Sequence, residues 1–346
     1  MSAAVGVSPP DRRGKERTVK RTTIGDVAKA AGVSVATVSR VLNGGAVKEA
    51  TATRVWEAAA QLDYTPNALT KSIFAGRSTT IGVVIDDLTS PFYLDLMRGI
   101  DEVAAKHDSL VMFANTFHSA EREVAHVQTM DEQRVRGLII TSGESTDTRT
   151  RRMAAAGTPC VIVGRSLADP PRGLHSVRLD NIAAGRMMAH HLISCGRRSI
   201  GVISAGNRPG QLERTEGLRQ GLTEAGRPLP EDAVVVAIDN AEVDGAVDAL
   251  QDRGTSLDAI VCLAGRRTVA VHSALTARGL RIPDDVGFLT VDDFSWAPAL
   301  GITVIAEPSY QMGKRAAELI VDDPDQPEQL TFEPQLIARA SCGENI

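Results

Sequence analysis

The chain has 346 residues, 43% of them hydrophobic, with 38 Lys+Arg against 43 Asp+Glu. That length suits two or three domains, and the apolar content is enough to build buried cores. Cys160, Cys195, Cys262 and Cys342 are scattered without paired spacing, which argues against a disulfide scaffold or a zinc site.

The net charge of -5 is unevenly spread. Residues 1–77 hold 12 Lys+Arg and 6 Asp+Glu, a balance of +6, and the remainder is at -11. A basic end on an acidic body suits phosphate contact by the first segment alone. Residues 1–20 carry Pro9, Pro10, Arg12, Arg13, Lys15 and Arg17 without an apolar run. They read as a disordered basic arm, with no signal peptide and no membrane span, so a cytoplasmic location is expected.

Thr23-Ile-Gly-Asp26 has the form of a capping box with Asp in place of Glu, and Ile24, Val27, Ala28 and Ala31 follow with helical spacing. Gly32 suits a tight turn, and Ser34 suits the N-cap of a second helix. In that helix Val38, Val41 and Leu42 form the buried stripe, leaving Val35, Ala36, Ser39, Arg40 and Asn43 facing outward. Val55, Ala58, Ala59 and Leu62 mark a third helix. Two short amphipathic helices about a glycine turn form a helix-turn-helix.

Thr23-Ile-Gly-Asp-Val-Ala, Ala31-Gly-Val-Ser, Thr37-Val-Ser-Arg-Val-Leu-Asn43 and Tyr64-Thr-Pro-Asn67 occur in the order of the signature of bacterial repressors. On these motifs the chain resembles the lactose/galactose repressor (LacI/GalR) family. The resemblance runs from Thr22 to Leu336-Ile-Ala-Arg-Ala-Ser-Cys342. It implies a helix-turn-helix over 21–65, a hinge helix over 66–77, and a two-lobed effector-binding and dimerisation core over 78–346. Ile73 would be the apolar wedge of the hinge, entering the minor groove, where the family more often has Leu. Its alternative is packing at a domain junction.

The core's own pattern agrees. Ile81–Ile85, Leu110–Ala114, Leu138–Ile140 and Val161–Val163 read as strands buried on both faces, separated by helices at Phe92–Lys106 and Ala120–Arg134. After a crossover near Leu174–Asp180 the alternation resumes. A helix runs to Cys195, strands fall at Ile200–Ile203, Val234–Val236, Ile260–Leu263 and Gly287–Val291, and helices start from Gln211, Ala241 and Thr268. The fold expected is an all-α reader plus an α/β core of two parallel-sheet lobes, like periplasmic sugar-binding proteins.

Ligands of such sheets sit beyond the carboxyl ends of strands. The resemblance implies that Phe92 or Tyr93 walls the ligand and that Arg214 binds its oxygens with a fork of donors. Asp292, at a strand end, would accept from hydroxyls, and Trp296 would stack on a sugar face. A surface helix charge is the alternative for Arg214, and a turn or cap the alternative for Asp292. Core or subunit-interface packing is the alternative for Trp296. After Ile260-Val-Cys-Leu263 the family usually has Asn-Asp, whereas here Ala264-Gly265-Arg266-Arg267 follows. Two added cations predict a changed pocket, for a more anionic ligand, or a pocket out of use.

For DNA, Val35 and Ala36 suit thymine methyls and Arg40 suits guanine O6 and N7. Lys20, Arg21, Thr22, Thr23, Ser34, Thr37, Ser39, Asn43 and Lys48 are candidate phosphate contacts, and Tyr64 and Asn67 complete the DNA-binding set. Ala52 stands where the family commonly has Arg, an absence for which Lys48 would partly compensate. The expected partners are a pseudo-palindromic operator, a sugar-like effector and a second copy of the chain, without cofactor, metal or membrane. No phosphate-binding glycine loop, nucleophile elbow or metal-spaced cluster supports an enzyme. The competing readings are a regulator controlled by a protein partner, or without any ligand, and a sugar-binding transport protein.

Overall fold

The computed structural model describes residues 22–42, 45–64, 78–141, 144–206, 208–253 and 257–343. The chain forms two compact units, divided after Gly76.

Among the described residues the first unit contains three helices, α1 (Ile24–Ala31), α2 (Val35–Leu42) and α3 (Glu49–Gln61). The capping box at the start of α1 forms as the spacing predicts. Thr23 Oγ1 accepts from the Asp26 backbone, and Asp26 Oδ2 accepts from the Thr23 N–H at 2.8 Å. Gly32 ends the helix in the left-handed region, at φ 65°, where a side chain would be strained. Val27, Ala28, Ala31, Val38, Val41, Val55, Ala58 and Ala59 close one small core, with Ala52 and Tyr64 packed against it.

The second unit is two parallel-sheet lobes. Its elements are β1 (Thr80–Ile85), α4 (Pro91–Lys106), β2 (Leu110–Asn115), α5 (Ala120–Glu132), β3 (Gly137–Ile140), α6 (Asp147–Ala155), β4 (Cys160–Val163) and β5 (Leu174–Leu179). There follow α7 (Asn181–Ser194), β6 (Ile200–Ser204), α8 (Pro209–Glu224), β7 (Val234–Val236), α9 (Val243–Gln251), β8 (Ala259–Cys262), α10 (Thr268–Ala277), β9 (Gly287–Val291), β10 (Thr303–Ala306), α11 (Ser309–Asp322), β11 (Gln329–Phe332) and β12 (Gln335–Ile337). The first sheet has the order β11-β5-β4-β3-β1-β2 and the second β12-β10-β9-β8-β6-β7. All described pairings are parallel except β10 with β12.

Alternation along each strand feeds two cores. Ile81, Val83 and Ile85 of β1 join one apolar cluster while Val84 joins the cluster on the opposite face. Ala259 and Val261 of β8 split from Ile260 and Cys262 in the same way. Strands covered on both faces need continuous apolar runs, which is why these were readable. Cys160 and Cys262 are buried in them, as expected from their apolar settings.

The chain crosses between lobes three times, after β5, between β10 and α11, and between β11 and β12. β5 is a full strand rather than only a crossover. His175 and Ser176 interrupt its apolar run, yet both are buried, because β5 lies between β4 and β11 in mid-sheet. Among the described residues no helix is long and apolar enough to cross a membrane.

Candidate functional site

The carboxyl ends of both sheets face one cavity of about 690 Å³ between the lobes. Three helices and a 3₁₀ turn begin at its wall. Phe92 and Tyr93 come from the start of α4, Asn181 from the start of α7, Pro209 to Leu212 and Arg214 from α8, and Gly265 and Arg266 from the 3₁₀ turn ahead of α10. Such helix starts present backbone N–H groups and partial positive charge toward the cavity.

Arg214 and Asp292 form the cavity floor with two residues that sequence reasoning did not single out, Glu307 and Asn181. Arg214 donates through Nη2 to Glu307 Oε1 at 2.5 Å and through Nε to Asn181 Oδ1 at 2.6 Å. Only 13% of the Arg214 side chain and 6% of the Glu307 side chain are exposed. Arginine's planar fork suits this double engagement. Helix packing explains the position of Arg214: α7 and α8 cross through Gly185 and Gly217. A Cβ at Gly185 would strike the Arg214 carbonyl, and one at Gly217 the Ile182 carbonyl. Glycine alone allows that approach, which sets Arg214 beside Asn181.

Asp292 follows β9 in the left-handed region, at φ 67°, and is 8% exposed. A non-glycine residue held there costs about 1–3 kcal/mol, a cost met typically at functional sites. No hydrogen bond or ion pair engages its carboxylate among the described residues. Burial and the neighbouring Glu307 push its pKa up to about 7, against the pull of Arg214. Gly265 is what admits this carboxylate: a Cβ there would collide with Asp292 Oδ2 and lie 2.8 Å from Phe294 Cζ.

Phe92 and Tyr93 both line the cavity, with ring centroids 5.1 Å apart in an edge-to-face pair. Burial, with help from the charge of Asp86, raises the Tyr93 pKa well above its ordinary value, so the phenol stays neutral. Trp296 is a correction: it does not line the cavity. Its ring stacks on Phe294 at 4.6 Å and 20° and packs against the second lobe's core, the alternative role open to it. The reason is local. Phe294 turns inward toward Gly265, and Trp296, two residues on, follows it.

Both cations of the Ala264–Arg267 segment have partners within the chain. Arg267 bonds to Asn240 Oδ1 at 2.8 Å and to the Ile238 carbonyl, outside the cavity lining. Arg266 does line the cavity but is paired with Asp87 Oδ2 at 3.0 Å. Burial would raise the pKa of Asp87, and the Thr89 hydrogen bonds and Arg266 more than offset this, holding it below its ordinary value. For Asp86 burial is likewise outweighed, by His118, Arg208 and Thr116. Asp86 and Glu307 each directly follow a strand, so the rule that selected Asp292 would have found both. Among the described residues no cluster of His, Cys, Asp and Glu could hold a metal ion.

In the reader, Val35 is 48% exposed, and Ala36 and Arg40 are exposed beside it. Ser39 is half-buried and Lys48 is exposed. Four of the hydroxyl residues expected to meet phosphates are first of all internal. Thr22 Oγ1 donates to the Leu62 carbonyl at 3.0 Å, and Thr23 Oγ1 lies 2.6 Å from Asp26 Oδ2. Ser34 Oγ accepts from the Thr37 N–H at 3.1 Å and lies 2.9 Å from Thr37 Oγ1. These side chains cap helices, so their hydroxyls are shared with the fold. Tyr64 is half-buried against the core. Lys20, Arg21, Asn43, Asn67 and Ile73 lie outside the described residues, as do the arm and the hinge.

A helix-turn-helix followed in one chain by a two-lobed, sugar-binding-type core defines a DNA-binding transcription regulator. Residues 23–67 match the family of bacterial regulatory proteins, lacI family, and residues 78–340 match periplasmic binding proteins and sugar binding domain of LacI family. The chain belongs to the LacI family of bacterial transcriptional regulators. It is 31% identical to the HTH-type transcriptional regulator PtxS of Pseudomonas aeruginosa, covering 93% of this chain and 96% of the relative. It is also 31% identical to the regulator GalS of Salmonella typhimurium, over 92% and 96%. Among solved structures, a complex of the transcriptional regulator CelR with cellobiose superposes with a TM-score of 0.69 at 28% identity, covering 93% of this chain and all of that one. A lac repressor dimer bound to operator shares the fold, with a TM-score of 0.78 at 22% identity over 94% of this chain and all of that one.

Proposed function

We propose that this chain is a repressor whose operator affinity is set by a sugar or sugar derivative bound between the lobes. The carrying observation is Asp292: a carboxylate buried in the cavity floor, strained in backbone, and without a partner among the described residues. Burying such an acceptor unpaired is costly, and a hydroxyl-rich ligand relieves that cost by donating to it. Arg214, oriented by Asn181, Glu307 and the Leu263 carbonyl, offers its remaining N–H groups to ligand oxygens. Phe92 and Tyr93 supply apolar wall. The CelR complex with cellobiose, a relative of the same fold, supports a sugar as the class.

On DNA, a cytoplasmic homodimer presents two copies of α2 to successive major grooves. The division into a reader at 21–65, a hinge at 66–77 and a core at 78–346 follows the same reading, with Ile73 as the hinge wedge. Val35 and Ala36 contact thymine methyls and Arg40 reads guanine, while Lys48 and the backbone around the helix caps position the phosphates. A ligand changes operator occupancy only by its differential affinity for the two core states.

The test is a thermal-shift screen of the full chain against neutral sugars, sugar acids and nucleosides. A melting temperature raised by one sugar class, and no longer raised in Asp292→Ala, supports the reading. No shift from any compound, with DNA binding intact, overturns it.

A further inference from the structure

Above the cavity floor, charged side chains of the two lobes meet each other directly. The first lobe contributes Asp86 and Asp87, which follow β1, and His118, which follows β2. The second contributes Arg208, immediately before α8, and Arg266, in the turn after β8. Arg208 pairs with Asp86, and its Nη2 lies 3.2 Å from His118 Nδ1. Arg266 Nη1 donates to Asp87 Oδ2 at 3.0 Å and contacts His118 Nε2. His118 also lies 3.0 Å from Asp86 Oδ2 and 3.4 Å from Asp87 Oδ2.

Each carboxylate is held ready for its partner. Asp86 Oδ1 accepts from Thr116 Oγ1 at 2.9 Å, a residue of its own lobe, leaving Oδ2 for Arg208. Asp87 Oδ1 accepts from the Thr89 N–H at 3.0 Å and from Thr89 Oγ1 at 2.7 Å, leaving Oδ2 for Arg266. One oxygen of each aspartate is thus anchored at home while the other crosses the cleft. The side chains of Arg266 and Asp87 are only 14% and 16% exposed, so screening by salt is limited. Orientation fixed in advance reduces the entropy lost when the lobes meet.

We propose that Asp87–Arg266 and Asp86–Arg208, with His118 between them, form a latch that closes the cleft without any ligand. Arg266, in the segment that replaces the family's usual Asn-Asp, is its central residue. In many two-lobed binders the ligand supplies the bridge between lobes; here the chain supplies its own. The effector then meets a cleft that is already closed in the main population. Its affinity escapes the reduction imposed when the competent state is rare, and its entry waits on latch opening. That consequence rests on the cleft being the effector site; the latch itself does not.

The experiment measures distances between spin labels on the full chain, with Glu121→Cys in α5 and Gln251→Cys in α9, both exposed. Cys195→Ser removes the partly exposed native thiol, and excess unlabelled chain isolates distances within one subunit. No ligand is added, so this test and the thermal-shift screen can fail independently. The latch predicts one narrow distance for the parent protein. Arg266→Gln and Asp87→Asn should each move the population toward longer distances, changing the closed-to-open ratio by roughly tenfold or more. The double variant should open no further than either single one, because both remove the same contact. Arg208→Gln repeats the measurement should Arg266→Gln fail to fold. A parent distribution as broad as that of the variants, or two single effects that simply add, overturns the proposal.

Discussion

The reader and the cleft solve the same problem, holding polar groups in place, over very different lengths of chain. In the reader, Thr23 and Asp26 satisfy each other across three residues, as do Ser34 and Thr37. In the cleft, Arg214 finds Glu307 at a separation of 93 residues, and Arg266 finds Asp87 at 179. Local partners make the reader a unit whose function is written in one short stretch. Distant partners make the cleft a property of the whole core, assembled only when both sheets and all three crossovers are in place.

If that contrast is right, removing a partner in the cleft should cost far more than removing one in the reader. Arg214→Ala should lower the unfolding free energy of the core by about 3–5 kcal/mol in chemical denaturation, since Glu307 is left buried and charged. Glu307→Gln in the same background should recover part of the loss. A change of only a few tenths would mean that water reaches the floor and the pair is not truly buried.

Acidity sharpens the comparison next. Asp292 has its pKa raised to about 7 in the fold, so the native state holds this proton more tightly than the unfolded chain. Its contribution to stability is therefore present at low pH and declines as pH rises from about 4 to 7. Asp292→Asn should flatten that decline in melting curves taken across the range. A hydroxyl donor favours the ionised form, so ligand affinity should rise with pH, by at most about tenfold per unit below the raised pKa. A pH-independent affinity would remove Asp292 from the contact.

The reader's caps come third. Thr23→Ala removes the hydroxyl that accepts from the Asp26 N–H and contacts the Asp26 carboxylate, while the bond from the residue-23 N–H to Asp26 stays. It should cost about 0.5–2 kcal/mol in the reader's unfolding, with the core's transition unmoved. Smallest is Lys48→Ala, expected to reduce the slope of log affinity for DNA against log salt by about one, with sequence preference unchanged. An unaltered slope would show that Lys48 does not compensate for the alanine at position 52, which cannot reach a phosphate.

The same difference in range explains what could be read from the amino-acid sequence. Helical spacing and cap residues are local, so α1 to α3 and their buried stripes were legible. Strands covered on both faces announce themselves as apolar runs, so β1, β3, β4, β6, β8 and β9 were legible too. β5 was not, because its buried His175 and Ser176 break the run. Nor was α6, which buries only Thr150, Met153 and Ala154 along one side. At the site, Arg214 and Asp292 came from the family's motifs and strand ends. Glu307 was within reach of the same strand-end rule but was not picked, whereas Asn181 and His118 depend on partners far away in sequence. Trp296 was misplaced because an aromatic near a strand end looks the same whether it faces a ligand or, as here, Phe294.

Coupling between the reader and the cleft within one chain is the central claim, and linkage gives it a direct test. Operator DNA is first selected from random sequence with the full chain; the affinity of the sugar found by thermal shift is then measured with and without that DNA. The expected change is about 5- to 150-fold, with the sugar altering DNA affinity by the same factor. Identical sugar affinities in the presence and absence of operator would contradict the coupling.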